Sequence, residues 1–145
     1  MDNLEIRPLE KSDIEYVINI ENICFVDPWS RNIFEEEIES NKTLYYSSYL
    51  GDTMVGYVGL RQIFDEGHIM NIAVLPEYRG KGISEKMLFK IFEDADKNIK
   101  SYTLEVRASN IAAQKLYEKF EFKSVGIRKG YYGNNGEDAV IMWRE

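Results

Sequence analysis

The sequence predicts a mixed α/β fold: a central sheet of about seven strands flanked by about four helices, formed by a chain of 145 residues. Three observations carry this. Helical spacing of apolar residues precedes Thr43 and returns after Pro76. Between them the period shifts to segments rich in Tyr, Val, Leu and Ile. His68–Leu75 is then a nearly unbroken apolar run of strand length, which predicts a central strand covered on both faces.

Leu4 to Arg7 reads as a short first strand. Ser12-Asp13-Ile14-Glu15 matches a capping box, with Ser12 and Glu15 reciprocally satisfying orphan amides, and Ile14, Val17, Ile18 and Phe25 follow near one helical face. Pro28-Trp29 interrupts, and Ser30 is the expected cap of a second short helix carrying Ile33, Phe34 and Ile38. Thr43–Leu50 and Met54–Ile63 read as strands joined through Gly51-Asp52, and Asp65-Glu66-Gly67 marks another turn. A Gly-containing loop, Glu77–Gly82, leads into a helix with Ile83, Met87, Leu88, Ile91 and Phe92 on its apolar side. Tyr102–Arg107 is a strand, Ser109 or Asn110 caps a helix running to about Phe120, and Lys123–Tyr131 and Asp138–Trp143 are final strands. Gly133-Asn134-Asn135-Gly136 joins those two. No linker, repeat or low-complexity tract intervenes, so residues 1–145 read as one domain.

Composition narrows the function. Hydrophobic residues are 44% and charged residues 30%, a globular balance. No apolar run approaches the roughly 18 residues of a membrane span, and the mixed-charge N-terminus is no signal peptide, so no membrane role is expected. A single cysteine, Cys24, excludes an internal disulfide and suits a reducing, cytoplasmic compartment. The formal charge of -7 would repel phosphate backbones, which argues against nucleic acid and for cationic partners such as amines or basic protein tails.

Arg79-Gly80-Lys81-Gly82-Ile83-Ser84 sits between the apolar strand and a helix. A helix N-terminus exposes about four unpaired amides and partial positive charge. Gly80 and Gly82 can adopt positive φ and let phosphate oxygens approach the backbone, while Arg79 and Lys81 add charge. The pattern is neither a Walker loop nor a dinucleotide fingerprint. A compact anion nest suited to a coenzyme pyrophosphate remains, although a tight turn would also use glycines here.

On these residues the chain resembles the GNAT acetyltransferases. Asn71-Ile72-Ala73-Val74, the loop Tyr78–Ser84, Leu104-Glu105-Val106-Arg107-Ala108-Ser109-Asn110 and Ala112-Ala113-Gln114-Lys115-Leu116-Tyr117 look like the motifs of that family. Pro28-Trp29, Tyr131-Tyr132 and Glu137-Asp138-Ala139 make it similar to the RimI-type branch, which acetylates the N-terminal alanine of a small-subunit ribosomal protein. The resemblance covers essentially the whole chain. It implies a GNAT fold and acetyl-CoA as donor co-substrate, with a peptide or protein N-terminus, from a ribosomal protein, as acceptor. By the same resemblance, the pyrophosphate would lie on the backbone from Gly80 through Lys81, Gly82, Ile83 and Ser84 to Glu85. The pantetheine arm would pair like an extra strand with Ile72, Ala73 and Val74, and Asn110 would also contact the coenzyme. Two departures stand out: Ser84 replaces a usual Gly or Ala, and Phe120-Glu121-Phe122 replaces x-Gly-Phe. Glu121 in the left-handed conformation expected there costs about 1 kcal/mol.

Acetyl transfer to an amine requires proton removal from the ammonium, stabilisation of an oxyanion and protonation of the leaving thiolate. Glu105, between apolar Leu104 and Val106, points to the opposite sheet face and occupies the family's general-base position. Tyr117 occupies its general-acid position; alone it would read as aromatic packing. Cys24 lies in an apolar helical stretch and reads as a buried inert thiol rather than an acyl carrier. His68, the one histidine, is expected to be structural or at the surface. One His and one Cys make no metal site. Phe25, Pro28, Trp29, Tyr131 and Tyr132 are candidates for the acceptor cleft, with core packing an equal account. A small amine or lysine acceptor, or a non-catalytic acyl-CoA-binding module, are the alternative functions.

Overall fold

The computed structural model describes residues 3–25, 27–133 and 135–145. Among them are seven strands, β1 (Leu4–Pro8), β2 (Thr43–Leu50), β3 (Thr53–Ile63), β4 (Glu66–Val74), β5 (Ser101–Arg107), β6 (Lys123–Tyr132) and β7 (Glu137–Arg144). Four α-helices accompany them: α1 (Ile14–Cys24), α2 (Arg31–Glu39), α3 (Ile83–Asp94) and α4 (Ile111–Lys119). The strand order is β1-β2-β3-β4-β5-β7-β6. Residues 1–61 and 70–96 form one compact unit, and residues 62–69 and 97–145 a second.

In the first unit, β1, β2 and β3 form an antiparallel meander with Leu50 opposite Thr53, so Gly51 and Asp52 make the expected hairpin turn, with Gly51 at φ 62°. The strands covered on both faces are β2 and β3, where Tyr45–Tyr49 and Met54–Leu60 are buried without interruption. The expectation had been β4, yet its Met70, Asn71 and Ile72 are only half-buried. Gly59 is required by the packing, because a Cβ there would lie 2.2 Å from the Tyr45 ring. Val17, Ile20, Phe34, Tyr57 and Met54 build the core beneath these strands. Its buried tyrosines find carboxylates: Tyr45 donates to Glu37, Tyr46 to Asp94, Tyr49 to Asp13 and Tyr57 to Glu21. A buried phenol left without a partner is costly, and each carboxylate satisfies one.

The start of α1 corrects the predicted capping box. A 3-10 turn at Lys11–Asp13 precedes the helix, and Asp13, rather than Ser12 with Glu15, accepts the Glu10 amide at 2.9 Å. Asp13 is also the acceptor for Tyr49, so tertiary packing selects it over the exposed Ser12. Ser30 caps α2 as predicted, accepting from the Ile33 amide at 3.4 Å.

In the second unit, β5 pairs antiparallel with β7 and β7 with β6. The first residues of β4 run parallel to β5, with Glu66 opposite Ser101, Gly67 opposite Tyr102 and His68 opposite Thr103. This pairing moves the preceding turn. Phe64 and Asp65 make it, not Asp65 to Gly67, because Glu66 and Gly67 are recruited into the strand. Phe64 sits at φ 56°, and Asp65 accepts the Lys100 amide at 2.7 Å. Leu104, Val106, Phe122, Ala139 and Met142 are buried. Glu121 adopts the left-handed conformation expected of it, φ 71°. The predicted turn joining β6 to β7 includes Asn134, which lies outside the described residues; Gly136 returns its amide to the Tyr132 carbonyl at 2.8 Å. Among the described residues no helix is long and apolar enough to cross a membrane.

Candidate active site

Val74 ends β4, and a 3-10 turn at Pro76–Tyr78 feeds the glycine loop in the first unit. Gly80 and Gly82 have φ 78° and 79°, and an added Cβ at either would meet nothing within 4 Å. Gly82 is the N-cap of α3, whose first helical bond is Lys86 N–H to the Gly82 carbonyl at 3.1 Å. The amides of Gly82, Ile83 and Ser84 therefore precede the helical ladder, next to an open surface, as an anion nest requires. Arg79 has a different task from that of loose charge. Its Nε donates to the Val74 carbonyl at 2.9 Å and its Nη2 lies 3.4 Å from Cys24 Sγ. Cys24 in turn approaches the Val74 carbonyl at 3.5 Å. That carbonyl is thus engaged on the protein's side. Burial raises the Cys24 thiol above its ordinary value, which suits an unreactive cysteine.

Asn71, immediately before that edge, belongs to a buried chain absent from the sequence reading. Its Nδ2 donates to the Tyr57 hydroxyl at 2.9 Å, Tyr57 donates to Glu21 Oε2, and Glu21 Oε1 accepts the Trp29 amide at 3.0 Å. Glu21 is raised above the ordinary carboxylate value by burial, against the lowering effect of its two donors. The chain pins the residues after α1, and Trp29 packs on Phe34 with ring centroids 5.3 Å apart. Trp29 is accordingly tied to core packing; Phe25 is 37% exposed.

In the second unit, Thr103, Glu105 and Arg107 share the face of β5 opposite Leu104 and Val106. Glu105 Oε2 lies 2.9 Å from His68 Nε2, both side chains partly buried. His68, expected to be structural or at the surface, is thus half-buried and paired with Glu105. The hydrogen bond from His68 is the main reason that Glu105 lies below its ordinary value; desolvation opposes it and Arg128 adds to it. Arg107 reaches Glu137 at 3.1 Å and lies 4.1 Å over the Tyr132 ring, which meets Tyr131 edge-on.

Tyr117 projects from α4 into the interior, 5% exposed, with its ring 5.9 Å from Phe122. Burial, then Tyr132, pushes its phenol well above the ordinary value, so it is fully protonated near neutrality. Asn110 caps α4 by accepting the Ala113 amide at 3.1 Å, which commits its side-chain oxygen. The remaining motif residues hold this region together. Gln114 donates to the Arg107 and Ala108 carbonyls, Glu137 accepts the Ser109 amide at 2.7 Å, and Asp138 accepts the Gly130 amide at 2.9 Å. Among the described residues no group of three His, Cys, Asp or Glu side chains is placed to hold a metal ion.

The chain is similar to known proteins along nearly its whole length. A protein of Bacillus subtilis (strain 168), named provisionally as a [ribosomal protein bS18]-alanine N-acetyltransferase, is 40% identical over 95% of this chain and 93% of its own length. The [ribosomal protein bS18]-alanine N-acetyltransferase of Haemophilus influenzae is 34% identical over 94% of this chain and 95% of its own. The crystal structure of the ribosomal-protein-S18-alanine N-acetyltransferase from Escherichia coli superposes with a TM-score of 0.88 at 32% identity, covering 97% of this chain and 92% of that one. Residues 14–122 match the family model described as acetyltransferase (GNAT), and with these relatives alongside, the chain belongs to the GNAT acetyltransferases.

Proposed function

We propose that this enzyme transfers the acetyl group of acetyl-CoA directly to the N-terminal α-amine of a protein, the alanine of ribosomal protein bS18. The observation that carries the chemistry is Glu105: a partly buried strand carboxylate, kept ionised and held by His68 at 2.9 Å. The acceptor is inferred from relatives aligned along nearly the whole chain and named for that alanine. Such an acceptor implies a cytoplasmic site of action.

The loop fits the donor, because two open glycines at positive φ leave room for phosphate beside the amides that precede α3. In this reading the amides from Gly80 to Glu85 hold the pyrophosphate, with Arg79 fixing the loop and Lys81 supplying charge. The Ile72–Val74 edge and Asn110 contact the rest of the coenzyme. Glu105 removes a proton from the α-ammonium, directly or through water. The freed amine forms a C–N bond to the thioester carbonyl carbon, and the C–S bond breaks. Tyr117, protonated near neutrality, donates to the departing sulfur, and the second proton that the attacking nitrogen loses as the amide forms returns, through solvent, to restore the phenol. An α-amine, near pKa 8, is an easier acceptor for this base than a lysine side chain near 10.4.

Thiol release from acetyl-CoA tests the acceptor, with alanine-starting bS18 peptides, their N-blocked forms and spermidine compared. Turnover is expected only with the free N-terminus. Activity that survives N-blocking would assign a lysine, and spermidine turnover a small amine.

A further inference from the structure

We propose that the last turn of α1 holds the backbone edge Ile72–Val74 at both ends, so that the edge is already set when the pantetheine arm of the coenzyme pairs with it. Glu21, Tyr57, Asn71 and Cys24 are then positioning residues that act through that backbone. The inference rests on the proposed pairing of the arm with this edge.

Glu21 and Cys24 are helical neighbours, three positions apart at the end of α1. On β4, Asn71 immediately precedes the edge and Val74 closes it. Three residues rise about 4.5 Å in a helix and about 10 Å in a strand, so one helical turn does not reach both places unaided. Tyr57 of β3 spans the difference at the Asn71 end. Its hydroxyl accepts the Asn71 amide at 2.9 Å and donates to Glu21 Oε2. The direction of this chain is fixed from its far end. The Trp29 backbone N–H, which can only donate, takes Glu21 Oε1 at 3.0 Å. As a carboxylate, Glu21 accepts at its other oxygen too, so Tyr57 gives it the phenol proton and keeps a lone pair for Asn71.

At the other end the tie is to the backbone itself. Leu75 N–H bonds the Val55 carbonyl of β3 at 2.8 Å. In a trans peptide the preceding carbonyl points the opposite way, so the Val74 carbonyl turns away from β3. There it meets Arg79 Nε at 2.9 Å and Cys24 Sγ at 3.5 Å. The residues flanking Ile72 and Ala73 are thus both anchored to α1. A ligand that pairs like a strand needs the N–H and C=O groups of the edge aligned, and alignment before binding removes that ordering cost from the affinity. The nucleotide half of the coenzyme makes no such demand, because the glycine loop takes its pyrophosphate through separate amides.

Calorimetry with two probes tests this: acetyl-CoA, and adenosine diphosphate, which carries the coenzyme's pyrophosphate and no pantetheine arm. Tyr57→Phe is the variant of choice, since the Asn71 end hangs on one hydroxyl while the Val74 carbonyl has two partners. It should bind acetyl-CoA about five- to tenfold more weakly than the wild type, and adenosine diphosphate equally well. In steady state, KM for acetyl-CoA should rise by the same factor, with KM for the acceptor peptide little changed. A merely structural role would lower Tm and leave the ratio of the two affinities where it was. Unchanged affinity for both probes, or a loss shared equally by both, overturns the proposal. Should Tyr57→Phe fail to fold, Asn71→Ala breaks the same end, and the same selective loss is expected of it. The wild type keeps the readings apart. If it binds neither probe, the donor assignment itself falls, and if the arm adds nothing over adenosine diphosphate, the pairing with Ile72–Val74 falls. If the arm adds affinity that both variants keep, only the role of α1 is removed.

Discussion

Arg79 Nε donates to the Val74 carbonyl at 2.9 Å, tying the residue that opens the glycine loop to the last residue of the strand leading into it. The loop is thereby held in place by its own side chain while its glycine backbone stays open to solvent. Pre-organisation of this kind lowers the ordering cost when an anion binds.

Gly82→Val follows from that arrangement. The Cβ of the new side chain would meet nothing within 4 Å, but φ 79° strains a non-glycine residue by about 1–2 kcal/mol. The variant should fold with a lowered Tm and bind acetyl-CoA at least about tenfold more weakly, a loss of some 1.4 kcal/mol. Calorimetry showing unchanged affinity in the folded variant would take this loop out of the coenzyme site.

Tyr57→Phe addresses the buried chain beside that site. It removes a donor from Glu21 and the acceptor of the Asn71 amide, and should destabilise the protein by about 1–3 kcal/mol. Burial already raises Glu21, and losing the Tyr57 bond raises it further. A carboxyl raised on folding contributes stability below its unfolded value that is lost as pH rises through the folded one. The deficit relative to wild type should therefore be larger at pH 8 than near pH 5. Denaturation at both pH values checks this, and an equal deficit would show that the ionisation of Glu21 has no part in it.

Glu105→Gln and Tyr117→Phe separate the two chemical roles. General acid–base groups contribute about 10²–10⁴ in rate, or roughly 3–5 kcal/mol of barrier. Each variant should retain acetyl-CoA binding and lose kcat within that range. The Gln variant should regain part of its rate at high pH, where solvent deprotonates the amine, while the Phe variant should not, because its missing step is donation to the thiolate. Near wild-type turnover by both across pH 6 to 10 would refute the assignment.

The order of strands and helices, the Ser30 cap, the Gly51-Asp52 hairpin and the left-handed Glu121 were all legible in the amino-acid order, and the cap of α4 was narrowed to Ser109 or Asn110, of which the structure uses Asn110. Each depends on backbone angles and hydrogen bonds spanning only a few residues, which local residue types dictate. The catalytic candidates Glu105 and Tyr117 came from motif resemblance, and their local surroundings became clear only in three dimensions. Tertiary structure alone chose Asp13 over Ser12 as the acceptor before α1, moved a turn to Phe64 and Asp65, and covered β2 and β3 rather than β4. It also joined His68 to Glu105 across 37 positions and Tyr57 to Glu21 across 36. Such contacts depend on strand register and on which polar groups are buried together. A one-residue slip between β4 and β5 would turn His68 to the other face of the sheet, and no local pattern around a single histidine records that register.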